Sequence, residues 1–341
     1  MLEGVRVLDL SRLLPGGYCS MLLARLQADV VKVEAPGAGD PLRGLPSGAA
    51  IFGALHAGKR SVALRLKSET GRAALLRLAE GSDVLLEGFR PGVMDRMGLG
   101  FARLSAVNPR LVYCAITGYG STGPMRARAG HDLNYLARAG LLSLMPLTDG
   151  LPAIPAVQVA DLAGGTQAAL LILGALLERA RTGRGRRLEV SMTDVARSWL
   201  TAQRAALDAG ESGLRLTGEL PCYRVYAVAD GFISVAALEP RFWEAFCESI
   251  GLPELRVRQA DPAAAAEVAA VLKTRTRADW MAHFGDRDVC VEPVLSLGEA
   301  EADPQAAAIR RPAPAVGEHT SQVLLEAGLS PQAIEALDRT A

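Results

Sequence analysis

The sequence predicts an α/β fold: a parallel sheet covered by helices on both faces, followed by a smaller second domain. Three observations carry this. First, a strand–helix–strand unit at short spacing opens the chain. Val5 to Leu10 reads as a strand, Met21, Leu22, Leu23 and Leu26 mark a helix, and Asp29 to Glu34 reads as a second strand. Second, the alternation recurs, which argues for a sheet with helices on both sides. Third, the chain has 341 residues, half of them hydrophobic, which is long for one core and comfortable for two.

Between the first strand and its helix, Ser11 to Gly17 reads as a loop holding Pro15, Gly16 and Gly17. Arg60 to Leu66 is strand-like, Glu69 to Glu80 helical, and Asp83 to Glu87 and Leu111 to Thr117 strand-like again. A long apolar helix spans Gly164 to Arg181 and closes at Thr182-Gly183-Arg184-Gly185, with arginine in the last turn as the helix dipole favours. Leu188 to Met192 gives one more strand, and Asp194 to Ala209 a helix. Residues 220–237 are β-rich around the turn Ala229-Asp230-Gly231, and Arg241 to Asp288 is mostly helical. The expected domains are residues 1–221, a large domain; 222–300, a small one; and 301–341, a segment returning to the large domain.

Lys plus Arg and Asp plus Glu both number 37, so no net field steers the chain toward nucleic acid or an anionic membrane; phosphate binding must come from a local patch. Five cysteines without a CxxC pair read as reduced, mostly buried thiols, and four histidines without a Cys/His cluster argue against structural zinc. No signal peptide is read at the N-terminus, and the apolar run Ala168 to Leu177 is too short to span a bilayer. A cytoplasmic location is expected, with neither nucleic acid nor membrane as a partner.

Four carboxylate or imidazole positions are candidates for chemistry. In Gly130-His131-Asp132-Leu133-Asn134-Tyr135, His131 and Asp132 fall near a helix start, where free N–H groups stabilise an anion. Asp132 there is also a plain N-cap candidate, and His131 an ordinary surface histidine. Asp161 lies where an extended segment meets an apolar helix. Desolvation there would raise its pKa and make it a usable base, although aspartate also caps helices. Glu239, before Pro240, reads either as a buried turn carboxylate that orients His131 or as a solvated turn. Lys59, Arg60, Lys67, Arg90 and Arg96 are basic positions able to hold phosphate, Arg90 within the glycine-flanked Gly88-Phe89-Arg90-Pro91-Gly92. No GxGxxG follows the first strand, and no GxSxG elbow occurs.

Taken together, several segments resemble the family III CoA-transferase (CaiB/BaiF) superfamily. They are Val5-Arg6-Val7-Leu8-Asp9-Leu10-Ser11-Arg12, Leu14-Pro15-Gly16, Met21-Leu22-Leu23-Ala24, Ala28 to Glu34, Gly58-Lys59-Arg60-Ser61-Val62, Asp83 to Glu87, Phe89-Arg90-Pro91-Gly92, Gly118-Tyr119-Gly120 and Gly317-Glu318-His319-Thr320. The segments Gly130 to Tyr135, Asp230-Gly231 and Ala237-Leu238-Glu239-Pro240 resemble its α-methylacyl-CoA racemase subgroup.

The resemblance implies a Rossmann-like large domain, a smaller α+β domain and an interlocked homodimer, with sites between the large domain of one chain and the small domain of its partner. It also implies an acyl-CoA substrate and no cofactor beyond the coenzyme A moiety. His131 and Asp161 would transfer protons, with Glu239 supporting His131. Leu64, Lys67, Glu87, Gly88, Phe89, Arg90, Arg96, Gly130, Asp132, Asn134 and Tyr135 would line the CoA site. Two reactions are implied: racemisation at the α-carbon of a 2-methylacyl-CoA, or CoA transfer through an anhydride on Asp161. A role in binding CoA without turnover is a third, weaker reading. The sequence departs from the family pattern at His56-Ala57, usually Asn-Arg, at Ala35, basic in some racemases, and in a shortened stretch from Asp303 to Val316.

Overall fold

A computed structural model of the chain describes residues 1–211, 216–303 and 313–338. It forms two compact units. The first comprises Met1–Ser143, Ala153–Leu200 and the described C-terminal residues from 313; the second comprises Leu144–Pro152 and the described residues from 201 to 303.

The first unit is built on a six-stranded, wholly parallel sheet in the order β3-β2-β1-β4-β5-β8. Its first half contains β1 (Arg6–Asp9), α1 (Leu13–Arg25), β2 (Asp29–Glu34), α2 (Gly48–His56), β3 (Arg60–Ala63), α3 (Glu69–Glu80) and β4 (Val84–Glu87). There follow α4 (Val93–Arg96), α5 (Phe101–Val107), β5 (Val112–Thr117) and α6 (Asp132–Ala139). The short hairpin β6 (Leu147–Thr148) and β7 (Leu151–Pro152) belongs to the second unit. The first unit resumes with α7 (Val159–Thr182), β8 (Arg187–Ser191) and α8 (Met192–Ser198).

Both sheet faces are covered, and the period-2 alternation of the strands divides their side chains between the two cores. Val7, Leu86, Cys114 and Ile116 pack with α1, α6 and α7. Their neighbours Leu8, Leu85, Tyr113 and Ala115 pack on the other face with α3 and α5. That second core also takes in Val323 and Leu324 of the C-terminal chain, and His319 N–H bonds back to the Ser61 carbonyl at 2.9 Å.

The second unit holds α9 (Thr201–Asp208), then β9 (Tyr223–Ala227), β10 (Phe232–Ala236), α10 (Pro240–Ser249), α11 (Ala264–Leu272), α12 (Arg277–Phe284), β11 (Val291–Pro293) and α13 (Leu297–Ala302). Its antiparallel three-stranded sheet packs on a core that includes Trp243, Phe246, Trp280 and Phe284. The final helices α14 (Thr320–Glu326) and α15 (Pro331–Asp338) belong to the first unit. The predicted shortening from Asp303 to Val316 falls largely outside the described residues.

Three sequence expectations are corrected. The loop expected over Ser11 to Gly17 is instead the entry of α1, which starts at Leu13. Pro15 is tolerated because the first turn needs no N–H donor there. The glycines serve close packing: a Cβ on Gly16 would lie 2.1 Å from the Ser11 side chain, and one on Gly165 of α7 would lie 2.5 Å from the Pro15 carbonyl oxygen. The long apolar helix begins at Val159, five residues before Gly164, because a side chain from elsewhere caps it. The helix expected over Asp194 to Ala209 is broken into α8 and α9, and the break falls where the chain leaves the first unit for the second.

By length and composition α7 could cross a membrane, yet 44% of its most apolar window is buried. Its Ala160, Ala168, Ile172 and Ala175 lie in the first core.

Beneath the start of α1 lies a buried cluster of charges. Asp9, Lys32, Asp40, His56 and Lys59 are all buried. The Lys32 ammonium lies 3.1 Å from Asp40 Oδ2 and 3.7 Å from Asp9 Oδ1, and it donates to the Ser11 carbonyl. Lys59 donates to Ser20 Oγ at 2.6 Å and to the Gly17 carbonyl at 3.1 Å, with His56 Nδ1 at 3.0 Å. Burial alone would raise the Asp9 carboxyl. The two lysines, with donors from Ser11 and Ser20, outweigh it and hold the group below the usual carboxylate range. Burial and the lysine charges keep the His56 imidazole neutral. Lys32→Met should cost about 3–5 kcal/mol in urea unfolding, because it strands the buried Asp40 and takes from Asp9 one of its two ammonium partners. Arg204→Ala, which opens an exposed pair with Asp208, should leave the midpoint unchanged.

Candidate active site

Strand order reverses between β1 and β4, where the chain first builds outward through β2 and β3 and then through β5 and β8. In open parallel sheets such a reversal leaves a crevice beyond the carboxyl ends of the two strands. Ser11 and Arg12 follow β1 there, and Gly88 and Phe89 follow β4. The two loops touch: a Cβ on Gly88 would lie 3.7 Å from Ser11 Cβ and 3.9 Å from Arg12 N. The Arg12 guanidinium lies over the Phe89 ring, 4.7 Å from its centroid.

Glu87 is buried at the end of β4. Its Oε2 accepts the Phe89 N–H at 2.6 Å and its Oε1 accepts the Tyr113 hydroxyl at 3.1 Å. Burial pushes its pKa up to about 7 against the pull of those two donors. Both oxygens are thus engaged with the protein, and Glu87 shapes the Gly88-Phe89 turn from below. Leu64 is likewise a core residue, 2% exposed. Lys67, Arg90 and Arg96 are exposed. The phosphate-holding candidates Lys59 and Arg60 are committed elsewhere. Lys59 sits in the buried cluster, and Arg60 pairs with Asp29 at 2.5 Å and with Glu326 at 2.9 Å.

A second group forms where α6 and α7 begin. His131 is the N-cap residue of α6 and is exposed. Its N–H donates to Asn134 Oδ1 at 3.0 Å, which fixes the first turn. Tyr135 donates its hydroxyl to the Gly130 carbonyl at 2.5 Å, and its ring meets Tyr119 edge-on at 5.1 Å. Gly130 has no room for a side chain, since a Cβ would lie 2.6 Å from the Tyr119 hydroxyl.

Asp132 does not cap its own helix. Its Oδ1 accepts the N–H groups of Ala160 at 2.7 Å and Asp161 at 3.1 Å, so it caps α7. One side chain therefore ties the helix start that carries His131 to the one that carries Asp161. Asp161 is the third residue of α7, half-buried, and no hydrogen bond to its carboxylate is found among the described residues. Burial, and after it the Asp132 charge, push its pKa up to about 7.

Glu239 is in the second unit, at the N-cap of α10. It is exposed rather than buried, because the chain turns outward before Pro240, and its side chain caps nothing. Sequence reasoning found Asp132 but not its partner helix, and it missed Arg12 at the crevice. The signal for Arg12 was a long cation directly after the first strand.

The raised pKa of Asp161 has a stability consequence. Between about pH 4 and 7 the folded chain holds a proton there that the unfolded chain has lost, so stability falls as pH rises through that window. Asp161→Asn removes this loss. Thermal unfolding should show the variant gaining on the native chain at pH 8 and matching it near pH 4.

The family model described as CoA-transferase family III matches residues 2–311. The α-methylacyl-CoA racemase of Homo sapiens is 35% identical over 386 aligned positions, covering 99% of this chain and 96% of the relative. The succinyl-CoA:glutarate CoA-transferase of Mus musculus is 33% identical, covering 89% of this chain and 74% of the relative. The crystal structure of a CAIB/BAIF family protein from Brucella suis superposes with a TM-score of 0.83 at 30% identity, covering 96% of this chain and 99% of that one. With its six-stranded parallel sheet and this match along most of its length, the chain belongs to CoA-transferase family III.

Proposed function

We propose that the chain is an acyl-CoA racemase that inverts the α-carbon of a 2-methylacyl-CoA by moving one proton off and another on. The observation that carries this is the Asp132 bridge. It couples the start of α6, with His131, to the start of α7, with an Asp161 carboxyl poised near neutrality. A general base works best with a pKa near the working pH. Asp161 and His131 differ in type, so each serves as base in one direction and its conjugate acid serves in the other. The proton taken from the α-carbon leaves an enolate, and N–H groups at the start of α6 are suited to hold its oxygen. The Leu, Met and Pro of the stretch from Leu142 to Pro155 support an apolar acyl chain.

The coenzyme A portion is assigned to the crevice beyond β1 and β4, with Lys67, Arg90 and Arg96 as its cations. Glu239 is assigned to His131 across the subunit boundary of an interlocked homodimer, and the protein to the cytoplasm. The second reading, CoA transfer, has the mouse relative behind it, and there Asp161 attacks the thioester carbonyl, expels CoA and becomes an acyl anhydride.

In heavy water without any acceptor acid, the protein should exchange the α-proton of a 2-methylacyl-CoA, followed by mass spectrometry. Asp161→Asn and His131→Ala should each abolish racemisation, while each still exchanges the α-proton of one enantiomer. Each direction needs one of the two groups protonated and the other not, so kcat/KM in both directions should follow one shared bell-shaped pH profile, falling together on its acid and alkaline sides. A hydroxylamine-trapped Asp161 hydroxamate with no exchange would replace the racemase by the transferase. By sedimentation at micromolar concentration, the free protein should be a dimer that dilution does not readily separate; a monomer would remove the assignment of Glu239.

A further inference from the structure

The sheet's crevice holds one cation that the expected CoA contacts leave out. Arg12 follows the buried Ser11, and the backbone on both sides of it is pinned. The Ser11 N–H donates to Asp9 Oδ1 at 2.9 Å, and the Leu13 N–H donates to Asp40 Oδ1 at 3.2 Å. Leu13 itself holds φ at 63°, a left-handed conformation that a branched side chain enters only under constraint. The buried charges thus fix the direction in which Arg12 leaves the chain.

The side chain is exposed and crosses to the neighbouring loop, where its guanidinium rests on the Phe89 ring at 4.7 Å from the centroid. Stacking occupies one face of the planar group and leaves its edge of N–H donors open. Among the described residues Arg12 makes no ion pair and no side-chain hydrogen bond. The nearby acid, Glu87, does not compete, since its two oxygens are taken by Phe89 N–H and Tyr113. Arg43, by contrast, also lies over a ring, Phe52, but is spent on a two-pronged pair with Glu34. A guanidinium held on a platform, with no internal acceptor, at the reversal point of a parallel sheet is arranged for an external oxyanion that can take two N–H donors.

We propose that Arg12, laid on Phe89, binds a phosphate of the coenzyme A moiety and so sets affinity for the nucleotide end of the substrate, an inference that rests on the acyl-CoA reading above. Phe89 acts as its platform, and Glu87 is a positioning residue that holds the Phe89 turn.

The test is calorimetric titration of the full-length protein with coenzyme A and, separately, with pantetheine, which has no phosphate. Arg12→Ala should weaken coenzyme A binding at least tenfold and leave pantetheine binding unchanged. Its affinity should also fall less steeply with salt than that of the native chain. Arg12→Lys keeps the charge but loses the fork and the stack, and should fall between the two. Unchanged thermal unfolding of Arg12→Ala separates lost binding from lost fold, as expected for an exposed side chain. Coenzyme A binding by Arg12→Ala within threefold of the native chain overturns the proposal, and so does an equal loss of pantetheine. A native chain that binds neither coenzyme A nor acyl-CoA overturns the functional reading itself.

Discussion

The buried contact of Lys32 with Asp9 and Asp40 is the constraint on which the working end of the sheet depends. Charges buried this deeply persist only when paired and hydrogen-bonded, and here the pairing spans three segments. Asp9 ends β1, Lys32 lies in β2, and Asp40 follows β2. Lys59, from the turn before β3, adds a fourth segment through Ser20 and Gly17 of α1. The loop that carries Ser11 and Arg12 therefore cannot move without stranding a charge. His56 completes the enclosure as a neutral ring stacked on Phe52 at 4.1 Å. The departure at His56-Ala57 thus falls on a packing residue of this cluster.

From that anchored edge the helices take their places. Gly165 lets α1 and α7 approach to backbone contact, which a side chain there would prevent, and Gly16 leaves room for the Ser11 side chain. With α7 so placed, the N–H groups of its first turn need an acceptor, and Asp132 from the start of α6 supplies it. The same carboxylate then acts on Asp161 as a neighbouring charge. One residue thus closes a helix end and tunes the acid beside it. Helix capping and titration are joined there, since the Asp161 carboxyl reaches about 7 through burial and through the group that caps its own helix.

Much of this was legible in the chain. The strands were readable because buried parallel strands are continuous apolar runs, as in Val30, Val31 and Val33 or Leu85 and Leu86. α3 was readable from Glu69 to Glu80 because its amphipathic pattern and its Ser68 cap are local. The site candidates His131, Asp132 and Asp161 stood out because charged residues beside glycine and an apolar helix are conspicuous. The entry of α1 was misread because Pro15, Gly16 and Gly17 signal a turn locally. Their use is decided by what packs against them, which lies up to about 150 residues away.

The α/β class, the strands of the parallel sheet and the residue types available for acid–base work follow from the chain, because periodicity and composition are properties of neighbouring residues. Which charges are spent and which are free follows from the fold. Lys59 and Arg60 look in sequence like phosphate ligands beside Gly58, yet the fold commits the first to a buried cluster and the second to Asp29 and Glu326. Arg12, named in sequence only as the end of a family-like segment, is left with a platform and no acceptor among the described residues. Asp132 caps a helix that begins 27 residues after it. The physical reason is the same in each case: an ionic group's role depends on the partners and the solvent that the fold puts around it, and neither is encoded next to it in the chain.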